Sequence, residues 1–326
     1  MESLSPDLIQ REMNRLGLDG QKFLFAVNFE LTEGFIIENP ENQTEILYEI
    51  WGRGNKKPLN KPLADNFYLT SKPMSQREYA DLFQVVKDGL ARGDSYLTNL
   101  TIATDIECPL SLEEIFQLSN SPYQLYVPDR FVCFSPERFV QIDSGRISTC
   151  PMKGTINAEI DEAEKVILAD FKESAEHATI VDLLRNDLSL SAMEVRVSRY
   201  RYIDRIKTRQ REILQVSSEI TGRLPDDYPA NIGDIIFRML PCGSCSGAPK
   251  ESTLDIIRRA EAKPRGYYTG VYGYFDGHNF DSGVLIRFIE NNGGQMVFRS
   301  GGGITAYSSM ESEYIEAIEK IYLPFV

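Results

Sequence analysis

The 326-residue chain has no apolar run of 18 residues, so no membrane-spanning helix is expected. Its start, Met1-Glu2-Ser3-Leu4, lacks the basic and apolar regions of a signal peptide, which makes the cytoplasm the expected location. A basic patch is missing too. The 35 lysines and arginines against 48 aspartates and glutamates leave a formal net charge of −13. That balance argues against nucleic acid or an anionic membrane surface as a partner, because phosphate recognition needs clustered cations. An anionic small-molecule substrate would have to meet cations gathered locally.

Soft-metal and redox chemistry are poorly supplied. His177 and His278 are the only histidines, and five cysteines are an odd number that builds no disulfide framework. Cys242-Gly243-Ser244-Cys245 is a CxxC, but no second CxxC or CxxH supplies the remaining ligands of a zinc site. Nucleotide motifs are absent, since neither Gly301-Gly302-Gly303 nor Ser246-Gly247-Ala248-Pro249-Lys250 has P-loop spacing. The latter also lacks the Ser-x-x-Lys spacing of a β-lactamase-like nucleophile. No cysteine sits in a Gly-x-Cys-x-Gly element, so a glutaminase nucleophile of that kind is not present.

What is present suffices for a large core: 42% of the residues are hydrophobic, and no linker, repeat or low-complexity segment divides residues 1–326. Residues 22–30 and 34–38 read as strands, giving a small β-rich amino-terminal part over about residues 1–74. Ser75 and Glu78 form a capping box for a helix with Leu82, Val85, Val86 and Leu90 on one face, ended by Gly93. Strand-like segments follow at 96–101, 131–134, 138–142 and 146–149. Two helices are expected between Glu159 and Leu188, and strands at 194–202 and 211–221. Helices near 231–239 and from Pro249 to Ala262 precede strands at 270–276, 281–290 and 295–299, and a last helix starts at about Ser309. Strand runs mixed with helix runs point to an α+β protein with antiparallel sheets.

Several residues suit chemistry. In Thr149-Cys150-Pro151-Met152-Lys153-Gly154-Thr155 a lysine sits beside flexible backbone. Its amine becomes a nucleophile only if its pKa is lowered; otherwise it is a solvated loop charge. Glu313 and Glu316 point from one helix face toward Gly301-Gly302-Gly303, read as a turn, and suit a hard cation such as Mg2+, or else form a solvated acidic face. Arg287, in the apolar run Val284–Ile289, is placed to pair with a substrate carboxylate, unless it alternates outward to solvent. Backbone amides of Gly301, Gly302, Gly303, Gly154 and Thr155 offer further anion donors, if the glycines are more than a plain hairpin turn.

Ser135-Pro136-Glu137, the Lys153 segment, Ala175-Glu176-His177 running into Val181–Asp187, Ser246–Lys250, Tyr268–Phe275, Ile286-Arg287, Ser300–Ile304 and finally Glu313 and Glu316 occur in that order. Over roughly residues 75–326 this series resembles the chorismate-binding enzymes. The resemblance implies a two-layer antiparallel β-sandwich with helices on its outer faces and the site between the sheets. It also implies Glu176 and Glu316 as direct magnesium ligands with Glu313 acting through water, Glu137 as general acid and base, and Tyr268 and Lys250 as pocket residues. Lysine at position 153 resembles the branch that makes aminodeoxychorismate from chorismate and ammonia, whereas anthranilate-forming members have alanine there. Asp234 is read as standing where those members have histidine. The alternatives are an anthranilate-forming enzyme or a catalytically silent chorismate-binding subunit. A glutamine amidotransferase subunit is the implied ammonia source, but the short amino-terminal part leaves its docking, and tryptophan binding, open.

Overall fold

The computed structural model describes residues 3–57, 68–207 and 212–325; residue 211, the first of the strand expected at 211–221, lies outside them. The chain enters on helix α1 (Pro6–Leu18) and the hairpin of β1 (Phe23–Val27) and β2 (Gly34–Glu38). Short strands β3 (Leu47–Ile50), β4 (Arg53–Gly54) and β5 (Thr70–Lys72) lead to α2 (Gln76–Ala91) and the long β6 (Leu97–Glu107). After α3 (Leu112–Leu118) come β7 (Tyr123–Val127), β8 (Phe131–Ser135), β9 (Arg138–Asp143), β10 (Arg146–Thr149) and β11 (Met152–Asn157). Helices α4 (Ala163–Ala169) and α5 (Phe171–Ser189) precede β12 (Met193–Lys207) and β13 (Glu212–Arg223). Next are α6 (Ile232–Arg238), the single turn α7 (Gly243–Ser246), β14 (Gly247–Ala248) and α8 (Lys250–Glu261). Strands β15 (Val271–Phe275), β16 (Phe280–Val284), β17 (Phe288–Asn292) and β18 (Gln295–Ile304) and helix α9 (Met310–Glu319) close the chain.

The strands form two sheets whose described pairings are all antiparallel. One runs β11-β13-β10-β9-β16-β15-β1-β2, with β12 also on β13; the other runs β14-β6-β18-β17-β8-β7-β3-β4, with β5 on β6. Between them lies a core shared by both, including Leu24, Tyr48, Tyr123, Leu125, Tyr272 and Phe288. Helices α1, α5 and α6 seal the outer face of the first sheet around Met13, Ile180 and Ile236, and α2, α8 and α9 cover the second around Val86, Ile256 and Ala317. A strand such as Phe23–Val27, buried along its whole length, is apolar at every position because both its faces are covered.

The structure departs from the expectations in three places. The amino-terminal part is not simply β-rich: α1 starts there, with Ser5 capping it and Pro6 in its first turn, where a missing N–H costs nothing. The strand expected at 281–290 is broken, since Arg287 takes φ +53° between β16 and β17. The three glycines 301–303 are not a turn. They lie inside β18, opposite Thr101, Leu100 and Asn99 of β6. A Cβ at Gly301 would stand 2.3 Å from the Leu100 carbonyl oxygen, so the glycine permits close strand approach.

Candidate active site

Helices α5 and α9 bring two Glu-x-x-Glu pairs to one pocket, Glu173 and Glu176 from the first and Glu313 and Glu316 from the second, with β11 and β18 as its floor. Residues three apart on a helix share a face, so each pair aims two carboxylates in one direction. Glu176 and Glu313 are buried, each 3% exposed, while the Glu316 side chain is 47% exposed at the rim. Lysines thread between them. Lys153 Nζ donates to Glu176 Oε2 at 3.4 Å. Lys172 Nζ donates to Glu313 Oε1 at 2.8 Å and stands 3.9 Å from Glu176 Oε1. Lys320 Nζ donates both to Glu316 Oε1 and to the Gly301 carbonyl at 2.7 Å.

Glycines make room for this cluster. A Cβ at Gly303 would lie 3.3 Å from Lys153 Nζ and 3.9 Å from Glu176 Oε2. One at Gly302 would lie 3.5 Å from both Glu313 Oε2 and Glu316 Oε1. Gly154, at φ +80° in a bulge of β11, approaches Glu173 in the same way, whereas Thr155 beside it is exposed.

The electrostatics run against a resting nucleophile. Burial acts to lower the Lys153 pKa, but Glu176, Glu316 and Glu173 outweigh it, and the amine is held protonated above its usual range. Burial pushes the Glu176 carboxyl up as well, partly offset by Lys153. Both shifts concern one proton, and the geometry puts it on Lys153, because Glu176 faces two ammonium groups. Glu316 goes the other way: burial raises it, and Lys320 more than compensates, so it stays ionised.

Glu137 follows β8 on the opposite side, half-buried, and its Oε1 accepts a 2.5 Å hydrogen bond from Ser244 Oγ in α7. Burial raises its carboxyl above the ordinary range, with Ser244, Lys153, Arg287 and Lys320 pulling back. A carboxyl whose protonated form is favoured in this way suits proton donation to a leaving group. Arg138 does not pair with it, since that guanidinium binds Tyr123 and Asp281 instead. Arg287 makes no ion pair among the described residues; its Nε donates to the Tyr322 hydroxyl, leaving the rest of its fork free for a carboxylate. Its left-handed backbone is the kind of strain that persists where surroundings over-determine a residue.

Other expected residues sit elsewhere or are otherwise engaged. Tyr268 is buried in the inter-sheet core against Phe288 and Arg299. The Lys250 amine bonds the Met239 carbonyl at 2.6 Å and Asp187 at 2.9 Å, knitting α5, α6 and α8 together. Asp234 faces α1, accepting from Gln10 and Asn14. Lys172, Glu173, Lys320 and Ser244 were not picked out from the sequence. Lys172 and Glu176, like Glu316 and Lys320, are four residues apart on one helix, a signal that was legible; nothing local marks Ser244.

Among the described residues no three histidine, cysteine, aspartate or glutamate side chains stand close enough together to hold a metal ion as they are. The donor set nevertheless fits a hard cation. Glu176 Oε1 is buried without a hydrogen-bond partner, all the candidate ligands are carboxylates, and the space at Gly302 is shared by two of them.

A chorismate binding enzyme family model matches residues 22–324. A PabA-like protein of Haemophilus influenzae is 48% identical over 96% of this chain and 95% of its own length. Aminodeoxychorismate synthase component 1 of Bacillus subtilis is 31% identical over 77% of this chain, which spans 55% of it. Anthranilate synthase component 1 of Mycolicibacterium smegmatis is 32% identical over 81% and 55%. Among solved structures, anthranilate synthase component I from Streptococcus pneumoniae superposes with a TM-score of 0.66 at 28% identity, over 77% of this chain and 58% of that one. The isochorismate synthase MenF of Escherichia coli, at 18% identity and a TM-score of 0.74 over 98% and 82%, shares the fold. The chain belongs to the chorismate-binding enzyme family.

Proposed function

We propose that this enzyme converts chorismate and ammonia to 4-amino-4-deoxychorismate, as aminodeoxychorismate synthase component I. Overall identity does not separate that reading from anthranilate synthesis, because relatives of both names stand at 31–33%. The observation that carries it is the position of the Lys153 amine, held against Glu176 and Gly303 and near enough to Glu137 for its charge to act on that carboxyl.

The neutral Lys153 amine attacks C2 of chorismate, both ring double bonds shift one place toward C4, and the 4-hydroxyl leaves as water with a proton from Glu137. Ammonia then adds at C4, both double bonds return, and Lys153 departs from C2; Glu137 takes up the proton released by the new amine. The net change is chorismate plus ammonia to the 4-amino product plus water. Arg287 pairs with a substrate carboxylate. Glu176 and Glu316, with Glu313 and Glu173 beside them, would hold magnesium, which supplies positive charge for the other substrate carboxylate and relieves the pull of the glutamates on the Lys153 proton. Without a Gly-x-Cys-x-Gly element the chain takes free ammonia, and a separate glutamine amidotransferase would provide it.

The test is mass spectrometry of the product from chorismate, ammonium and magnesium. The 4-amino product and a lysine adduct in peptide 151–155 are expected, and Lys153→Ala should lose the 4-amino product by about 1000-fold or more, a barrier of about 4 kcal/mol. A 2-amino product from the wild-type protein would establish anthranilate synthesis instead. Near wild-type 4-amination by Lys153→Ala would remove Lys153 from the chemistry.

A further inference from the structure

Lys172 lies in the first turn of α5, yet its ammonium bonds across to α9. It reaches Glu313 Oε1 at 2.8 Å and stops 3.9 Å short of Glu176 Oε1. The two carboxylates are almost wholly buried, and the lysine side chain is 31% exposed. Two buried like charges on facing helices repel and are costly without a counter-charge. Lys172 supplies one, but incompletely: Glu176 Oε1 remains without a hydrogen bond. A partly exposed ammonium on a flexible four-carbon stem at a helix start can swing into solvent without moving the backbone.

We propose that Lys172 is the resident cation of this carboxylate pair, and that a divalent ion held by Glu176 and Glu316, with Glu313 beside them, enters only by displacing its ammonium. The inference rests on the reading of these glutamates as ion ligands. Lys172 and a divalent ion compete for the same oxygens, so each ion bound releases one ammonium to solvent. The lysine keeps the pocket folded at low ion concentration, and it weakens ion binding by the strength of the bonds that must break.

Magnesium titration by calorimetry, on wild type, Lys172→Met and Glu176→Gln, reads this directly. Lys172→Met should bind magnesium about tenfold more tightly or better, and its melting temperature should fall below wild type in EDTA and rise more on adding magnesium. Should Lys172→Met not fold, reductive methylation of the wild-type protein serves: Lys172 should react several-fold faster with magnesium present. Unchanged or weaker binding by Lys172→Met, or a methylation rate that magnesium leaves unchanged or slows, overturns the displacement while the ion site stands. No saturable binding by wild type, or wild-type binding by Glu176→Gln, overturns the reading of the glutamates and the inference with it.

Discussion

Two ion pairs, each with a buried carboxylate, stand in this part of the molecule, and they are built differently. Arg265 is 1% exposed and meets Glu261 twice, at 2.6 and 2.8 Å. Its remaining donors go to the carbonyls of Cys245 and Asn99, both at 2.7 Å, and to the Thr269 hydroxyl at 3.3 Å, while Glu261 also accepts from the Thr101 amide at 2.9 Å. The pair is complete, and it ties α8 to β6 and to the α7 turn beside Ser244. Lys153 and Glu176, by contrast, meet once at 3.4 Å, and one oxygen of Glu176 is unbonded. A saturated pair holds structure together. An unsaturated one keeps capacity for something that arrives.

The largest effect should come from breaking the complete pair. Arg265→Met leaves Glu261 buried and uncompensated, which costs about 3–5 kcal/mol. Lys153→Met leaves Glu176 with Lys172 nearby and with a carboxyl already inclined to take up a proton, so its cost should be clearly smaller even as activity disappears. Urea denaturation of both variants measures the contrast. If Lys153→Met unfolds the chain and Arg265→Met barely matters, the assignment of structural and functional pairs is inverted.

Local signals made part of this legible in advance. Ser75 and Glu78 do form a reciprocal capping box, because that motif needs only three residues of its own helix. Glu313 and Glu316 read correctly as one face for the same reason. Gly301-Gly302-Gly303 misled, since three glycines signal a turn locally while their actual role is close approach to β6, some 200 residues earlier in the chain. Asp234 accepts from Gln10 and Asn14 of α1, a contact across more than 200 residues that no local pattern reports. The Ser244 contact to Glu137 joins residues 107 apart, and no periodicity reports it.

A smaller effect should follow from reducing the charge of the incomplete cluster. Glu316→Gln keeps the shape but deprives Lys320 of its counter-ion and the cluster of one ligand. Activity should fall about 100-fold, equivalent to about 2.7 kcal/mol of barrier, with a marked rise in the magnesium concentration required. Steady-state kinetics across a magnesium series would show it, and undiminished activity after exhaustive chelation of the wild type would remove the metal from the argument.

The smallest expected effect sharpens the comparison most, because it lies where the complete pair touches the reacting groups. Arg265 fixes the Cys245 carbonyl, and the adjacent Ser244 holds Glu137. The Glu137 carboxyl already sits above its ordinary range through burial, and the Ser244 hydrogen bond favours the ionised form. Removing that hydroxyl must therefore raise the pKa further. Glu137 works protonated, so the rate falls as pH rises through its pKa, and in Ser244→Ala the alkaline limb of kcat/KM should move to higher pH. Orientation is lost at the same time, and kcat should drop roughly three- to tenfold, or about 1 kcal/mol. Lys153, Arg287, Lys320 and the Cys245 thiol also bear on this carboxyl and are unchanged in the variant. Profiles must be taken at constant free ammonia, since its concentration rises with pH. Ser244→Thr, which keeps the hydroxyl, should restore both limb and rate. A limb that moves to lower pH in Ser244→Ala, or does not move, would mean that the hydroxyl does not govern the proton on Glu137.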